Sequence, residues 1–86
     1  MSTLKQDISI GQNLKKLRKR MQITQEQIVA QMQLYNCKIS RSIYSQMESG
    51  TYNIRISELL VLKEIFKCEF SDFFKDLPKP EKFTEN

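Results

Sequence analysis

The sequence predicts an all-α fold, and three observations carry that prediction. Apolar residues recur at helical spacing along most of the chain. Two pairs three residues apart, Ser9 with Gln12 and Thr24 with Gln27, have the form of helix-starting capping boxes. Strand signals are nearly absent, with two glycines, two prolines and no sustained period-two alternation. At 86 residues the chain has room for one domain. The expectation is a compact domain of five short helices over 8–76, between a flexible N-terminus, 1–7, and a flexible tail, 77–86.

The first helix is expected to start at Ser9 and run to about Met21, with Ile10, Leu14, Leu17 and Met21 as its apolar stripe. Lys15, Lys16, Lys19 and Arg20 take the opposite side, which for a single lysine is most simply a solvated face. Thr24 then caps a second helix, buried through Ile28, Val29 and Met32 and ending near Leu34. Tyr35 to Lys38 form the connection, with Asn36 suited to a left-handed conformation. Ser40 caps a third helix that runs to Ser49 and stops at Gly50, with Tyr44 and Met47 facing inward. After a loop, Thr51 to Arg55, Ser57 caps a fourth helix reaching about Lys67. Its expected buried stripe is Ile56, Leu59, Leu60, Leu62 and Phe66. Phe70, Phe73 and Phe74 complete the core, and Ser71-Asp72 start a short fifth helix. The prolines at 78 and 80 mark the tail.

Composition narrows the function. No apolar run approaches the roughly 20 residues that span a bilayer, and the first seven residues lack the apolar core of a signal peptide. A cytoplasmic protein without membrane contact is expected. Cys37 and Cys68 are far apart, match no zinc spacing and have no histidine to join them, so two reduced thiols are expected, with no metal and no cofactor. No nucleophile motif, glycine-rich phosphate loop or close carboxylate pair in the basic half supports an enzyme. The net charge of +4 is uneven. Residues 1–50 hold eight basic and three acidic residues, net +5, whereas 51–86 are near neutral at −1. One positively charged face, as a polyanion binder needs, follows from that division.

Two short, separately capped helices joined by a polar connection are a helix-turn-helix candidate. If Tyr44 and Met47 point inward, Arg41, Ser42, Ser45, Gln46 and Ser49 project outward. Arginine can pair bidentately with guanine and glutamine with adenine, and serines allow close approach to a groove.

The stretch from Ile10 to Phe74 resembles the lambda-repressor-like family, also called the Cro/C1 or XRE type. The resemblance rests on Leu14-Lys-Lys-Leu-Arg18, Thr24-Gln-Glu-Gln-Ile28, Ile39-Ser-Arg-Ser-Ile-Tyr-Ser-Gln-Met-Glu-Ser-Gly50 and the closing Leu59-Leu60 to Phe73-Phe74. It implies a five-helix repressor or activator that binds double-stranded DNA, usually as a homodimer on a palindromic operator. Arg41, Ser42 and Gln46 match the principal base-contacting positions, with Ser40 and Ser45 at their edge. Gln25 matches a glutamine that bonds a phosphate and braces the recognition helix. Ser49 and the turn after Gly50, at Thr51 and Tyr52, match the phosphate-contacting segment. Arg18 and Glu48 match a structural ion pair between helices one and three.

Three features depart from the family pattern. Gln33 to Cys37 add about five residues between helices two and three, absorbed by a longer helix or a longer turn. Val29 stands where alanine is usual, and Lys63 and Lys67 replace a small residue and a C-cap glycine. The alternative function is a protein-interaction module, an antitoxin or co-regulator, presenting an apolar patch around Phe70 to Phe83 to a protein partner.

Overall fold

The computed structural model describes residues 7–80, and every regular element among them is a helix. In chain order they are α1 (Gly11–Arg20), α2 (Gln25–Leu34), α3 (Arg41–Ser49), α4 (Ile56–Phe66) and α5 (Phe70–Phe73). α1 packs against α3 and α5, and α2 packs against α3 and α4. The all-α, five-helix expectation is met. None of these helices is long and apolar enough to cross a membrane. The expected flexible ends fall mostly on 1–6 and 81–86, outside the described residues; Leu77, placed in the tail from the sequence, packs against the core.

Local signals define the middle of the fold as expected. Thr24 Oγ1 accepts from the Gln27 amide at 3.1 Å, while Gln27 Oε1 accepts from the Thr24 amide at 2.8 Å, a complete capping box. Ser40 Oγ accepts from the Ile43 amide at 3.1 Å and starts α3. Gly50 ends α3 with φ 87°, a left-handed conformation that costs glycine little. Asn36 adopts φ 66° and Lys67 φ 51°, so a lysine takes the left-handed position that ends α4. Gln33 and Leu34 remain helical, and the connection is the six residues from Tyr35 to Ser40.

Four expectations need correction. Ser9 and Gln12 do not form a capping box: Ile10 is the N-cap of α1, and Ser9 Oγ accepts instead from the Gly11 amide at 2.9 Å. Ser57 does not cap α4; the cap is Arg55, two residues earlier, and the Glu58 carboxylate accepts from the Arg55 amide at 2.8 Å. Likewise α5 starts at Phe70 rather than at Ser71-Asp72, with Asp72 accepting from the Glu69 amide at 2.9 Å. Ile56, Leu60, Phe70 and Phe74 lie on the surface rather than in the core, because among the described residues no helix covers that face of α4–α5.

The core is built from Ile10, Leu14 and Leu17 of α1, Ile28, Val29 and Met32 of α2, Tyr44 and Met47 of α3, and Leu59, Leu62, Ile65 and Phe66 of α4. Phe73 is fully buried, with the rings of Phe66 and Phe70 centred 6.5 and 6.4 Å away. Ile54, in the loop before α4, is also fully buried. Asn13, buried on α1, donates through Nδ2 to the carbonyls of Phe73 (2.8 Å) and Lys75 (2.9 Å). It thereby satisfies backbone groups at the end of α5 and fastens that helix to α1.

The start of α1 lies against the end of α3. A Cβ on Gly11 would sit 2.2 Å from the Glu48 carbonyl oxygen and 2.7 Å from its carbon, both backbone atoms. We therefore expect Gly11→Ala to force α1 and α3 apart and lower stability by on the order of 2–3 kcal/mol, the upper part of the overpacking range. Urea unfolding measures this, and an unchanged midpoint would show that the helices yield freely.

Candidate functional site

Helical geometry divides α3 into two faces. Tyr44 and Met47 point into the core at 0% and 1% exposure, so Arg41, Ser42, Ser45, Gln46 and Ser49 are left outward and all are exposed. Beside them, α1 and the first turn of α2 complete a concave surface of about 680 Å³ whose lining includes Lys15, Lys19, Gln25, Arg41, Ser45 and Ser49. A second concavity of about 400 Å³ shares Gln25, Arg41 and Ser45 and adds Ser42 and Gln46.

The floor of this surface is a buried hydrogen-bonded cluster. Arg18 donates to both oxygens of Glu48, Nε to Oε2 at 2.7 Å and Nη2 to Oε1 at 3.1 Å. Its remaining Nη1 donates to the Ile23 carbonyl at 2.9 Å, closing the turn between α1 and α2. Gln25 Nε2 donates to Glu48 Oε1 at 3.0 Å. One carboxylate therefore holds α1, α2 and α3 in register. Arg18 and Glu48 are paired as expected, and Gln25 braces α3.

Burial alone would raise the pKa of Glu48, but its polar neighbours, Arg18 first, then the Tyr44 hydroxyl and Gln25, outweigh burial and hold the carboxyl below its usual range. The same hydrogen bond with Glu48 is the main reason that the Arg18 guanidinium is held more firmly charged. The Tyr44 phenol is buried beside them, and burial first and the nearby carboxylate second push its ionisation far above the usual range.

Other site residues carry internal contacts as well. Ser40 is committed to capping α3 and stands at the edge of the face. Ser49 Oγ donates to the Gln46 carbonyl at 3.2 Å and lies 3.1 Å from Thr51 Oγ1, which orders the turn after α3. Arg41 Nη1 lies 3.7 Å from Glu26 Oε1, with both side chains well exposed. A pair that open is worth at most about 1 kcal/mol, so the guanidinium is readily surrendered to another anion.

Tyr52 does not join this surface. Its hydroxyl donates to Glu58 Oε2 at 3.0 Å, and its ring lines a separate groove against α4. Lys15 and Lys19 do join it, although from the sequence each reads as a solvated lysine. Their four-residue spacing and alignment with Gln12 mark a common helix face, but which neighbour that face meets depends on packing. Lys16 and Arg20 turn instead toward α5 and Lys75. Cys37 is half-buried and Cys68 buried, both are free, and burial raises both thiols. Among the described residues no group of three or more His, Cys, Asp or Glu is placed to hold a metal ion.

Comparison of the chain with protein-family models, with curated proteins and with solved structures yields no match in any of the three.

The Glu48 cluster sets a pH dependence whose sign follows from its depressed pKa. The unfolded carboxyl titrates near about 4.3. The cluster's contribution is therefore present above that pH and is lost as pH falls through the lower, folded value. Glu48→Gln leaves the partly buried Arg18 without its counter-ion and should cost about 3 kcal/mol at pH 7. The difference from the unsubstituted protein should shrink below about pH 4. Denaturant unfolding at pH 7 and pH 3 checks this; an equal difference at both would exclude the carboxylate charge as its source.

Proposed function

We propose that the chain binds double-stranded DNA with sequence preference, entering the major groove with α3. The observation that carries the reading is the outward face of α3. Arg41, Ser42, Ser45 and Gln46 are exposed together on a helix whose inner side is anchored by Tyr44, Met47 and the Glu48 cluster. A helix can lie in a groove when its outer side chains are polar and short enough for the backbone to approach, and this face meets that requirement. Arg41 and Gln46 read bases in this proposal, and the serines tolerate or share in the contact.

Affinity comes from the rim. Lys15, Lys19 and Gln25 border the same concavity and suit phosphate contacts, with Ser49 and Thr51 at the far end of α3. Phosphate contacts position the helix and base contacts specify the site. The resemblance of the Thr24-Gln, Ser40-Arg-Ser and Glu48-Ser-Gly segments to lambda-repressor-like proteins leads to the same reading. In it the chain is a cytoplasmic transcriptional regulator working as a homodimer, with recognition helices about 34 Å apart on a palindromic site.

A second reading is a protein-interaction module, and the exposed apolar residues Ile56, Leu60, Phe70 and Phe74 favour it. The two readings separate in one experiment, a selection from random-sequence DNA on the purified full chain. An enriched motif supports the first, and no enrichment at low salt overturns it in favour of the second. Against the selected site, Arg41→Ala should weaken binding by about 1–3 kcal/mol and relax preference at one base pair. Lys15→Ala should instead weaken binding to all sequences and lower the salt slope by about one. Titrations at two or more salt concentrations distinguish these outcomes.

A further inference from the structure

The first part of the six-residue connection between α2 and α3 forms one wall of a groove of about 510 Å³. Its lining comes from three sources. The connection contributes Tyr35, Cys37 and Lys38, α3 contributes Ile43, and the segment from the loop into α4 contributes Tyr52, Arg55 and Val61. Ile43, Tyr52 and Val61 are half-buried and pack against the core, so the groove has a partly apolar floor. No lining residue is shared with the concavities beside α3.

Two of the groove's three charged side chains are cations. Lys38 and Arg55 are exposed on its two sides, and among the described residues neither has a carboxylate within ion-pair distance. The one acidic residue in its lining, Glu58, is buried. Its oxygens accept from the Tyr52 hydroxyl at 3.0 Å and the Arg55 amide at 2.8 Å, so it is engaged internally. Apolar surface also spills beyond the groove, because Tyr35 is 52% exposed and the neighbouring Leu34 84% exposed.

We propose that this groove is a docking site for an acidic peptide segment of another protein, with an apolar or aromatic anchor on the floor and carboxylates reaching Lys38 and Arg55. Charge complementarity selects the occupant: a second copy would bring the same two cations to the same rim, and like charges so placed oppose pairing. A nucleic-acid backbone is a poorer fit, since it needs a run of donors rather than two cations separated by apolar floor. An apolar anchor with flanking charges is a recurrent mode of peptide capture, and the groove's volume suits one large side chain with its neighbours. The proposal does not depend on DNA binding by the exposed face of α3.

The test uses the full chain, isotope-labelled, and a blocked hexapeptide Asp-Glu-Leu-Phe-Glu-Asp. The control peptide replaces each acid by its amide. Saturable amide shifts are expected at Tyr35 to Lys38, at Ile43 and from Arg55 to Val61. Affinity should fall about tenfold with the control peptide and likewise in Lys38→Ala/Arg55→Ala, as loss of two charge contacts implies. Alkylation of half-buried Cys37 should slow when the acidic peptide is bound. Absence of saturation, equal binding of the two peptides, or shifts centred on Arg41 to Ser49 would overturn the proposal. The last outcome would mean general attraction to the basic face. The peptide comparison needs no variant, so it stands even if the double substitution disturbs the fold.

Discussion

Glu48 is the point at which three helices meet. Its carboxylate is nearly inaccessible and takes two hydrogen bonds from Arg18 and one from Gln25. Burying a charge is costly, and a buried ion pair often adds little net stability compared with an apolar pair. What it adds here is orientation. An apolar contact at this position would tolerate rotation of α3 about its axis, whereas a bidentate guanidinium–carboxylate pair does not. The outward row Arg41, Ser42, Ser45 and Gln46 is aimed by the same bonds that neutralise Glu48.

The distance between α1 and α3 is set differently, by the missing side chain of Gly11. The Glu48 carbonyl occupies the space a Cβ would need, so backbone packing brings Lys15 and Lys19 alongside the α3 face. In the same first turn of α1, Asn13 ties down carbonyls at and just after the end of α5. Thus α1 contributes a glycine for approach, an arginine for orientation, an asparagine for closure and two lysines for the surface. None of these is part of its apolar stripe.

This division explains what was legible in the sequence. The boundaries at Thr24, Ser40 and Gly50 were readable because each depends on one side chain or one backbone conformation within three residues. Ser9 misled because the start of α1 is decided by contact with α3, which leaves Ser9 to bond Gly11 and puts buried Ile10 at the cap. Ser57 misled because Glu58 already accepts the Arg55 amide, which puts the cap two residues upstream of Ser57. Ile56 and Leu60 have the spacing of core residues, but spacing cannot reveal that among the described residues no helix covers that side of α4. On the candidate site, the α3 face followed from helical period alone. The roles of Lys15 and Lys19 and the turning away of Tyr52 required the packing of helices far apart in sequence.

The longer connection between α2 and α3 need not disturb the aim of α3. Two helices joined by a tight turn get their relative geometry largely from the turn; here six residues and a left-handed Asn36 leave more freedom. Contacts beyond the turn replace it. Gln33 Nε2 donates to the Ile39 carbonyl at 3.1 Å, Ile39 is buried, and Ser40 caps α3 directly afterwards. The connection is therefore fixed at its end, just where α3 begins, and Leu34 and Tyr35 can stand exposed without shifting the helix. With Gln25 and Glu48 locking the other side of α2 to α3, the residues from Tyr35 to Lys38 are released from aiming the helix. That freedom is what allows the same segment to wall a groove that shares no lining residue with the proposed DNA surface.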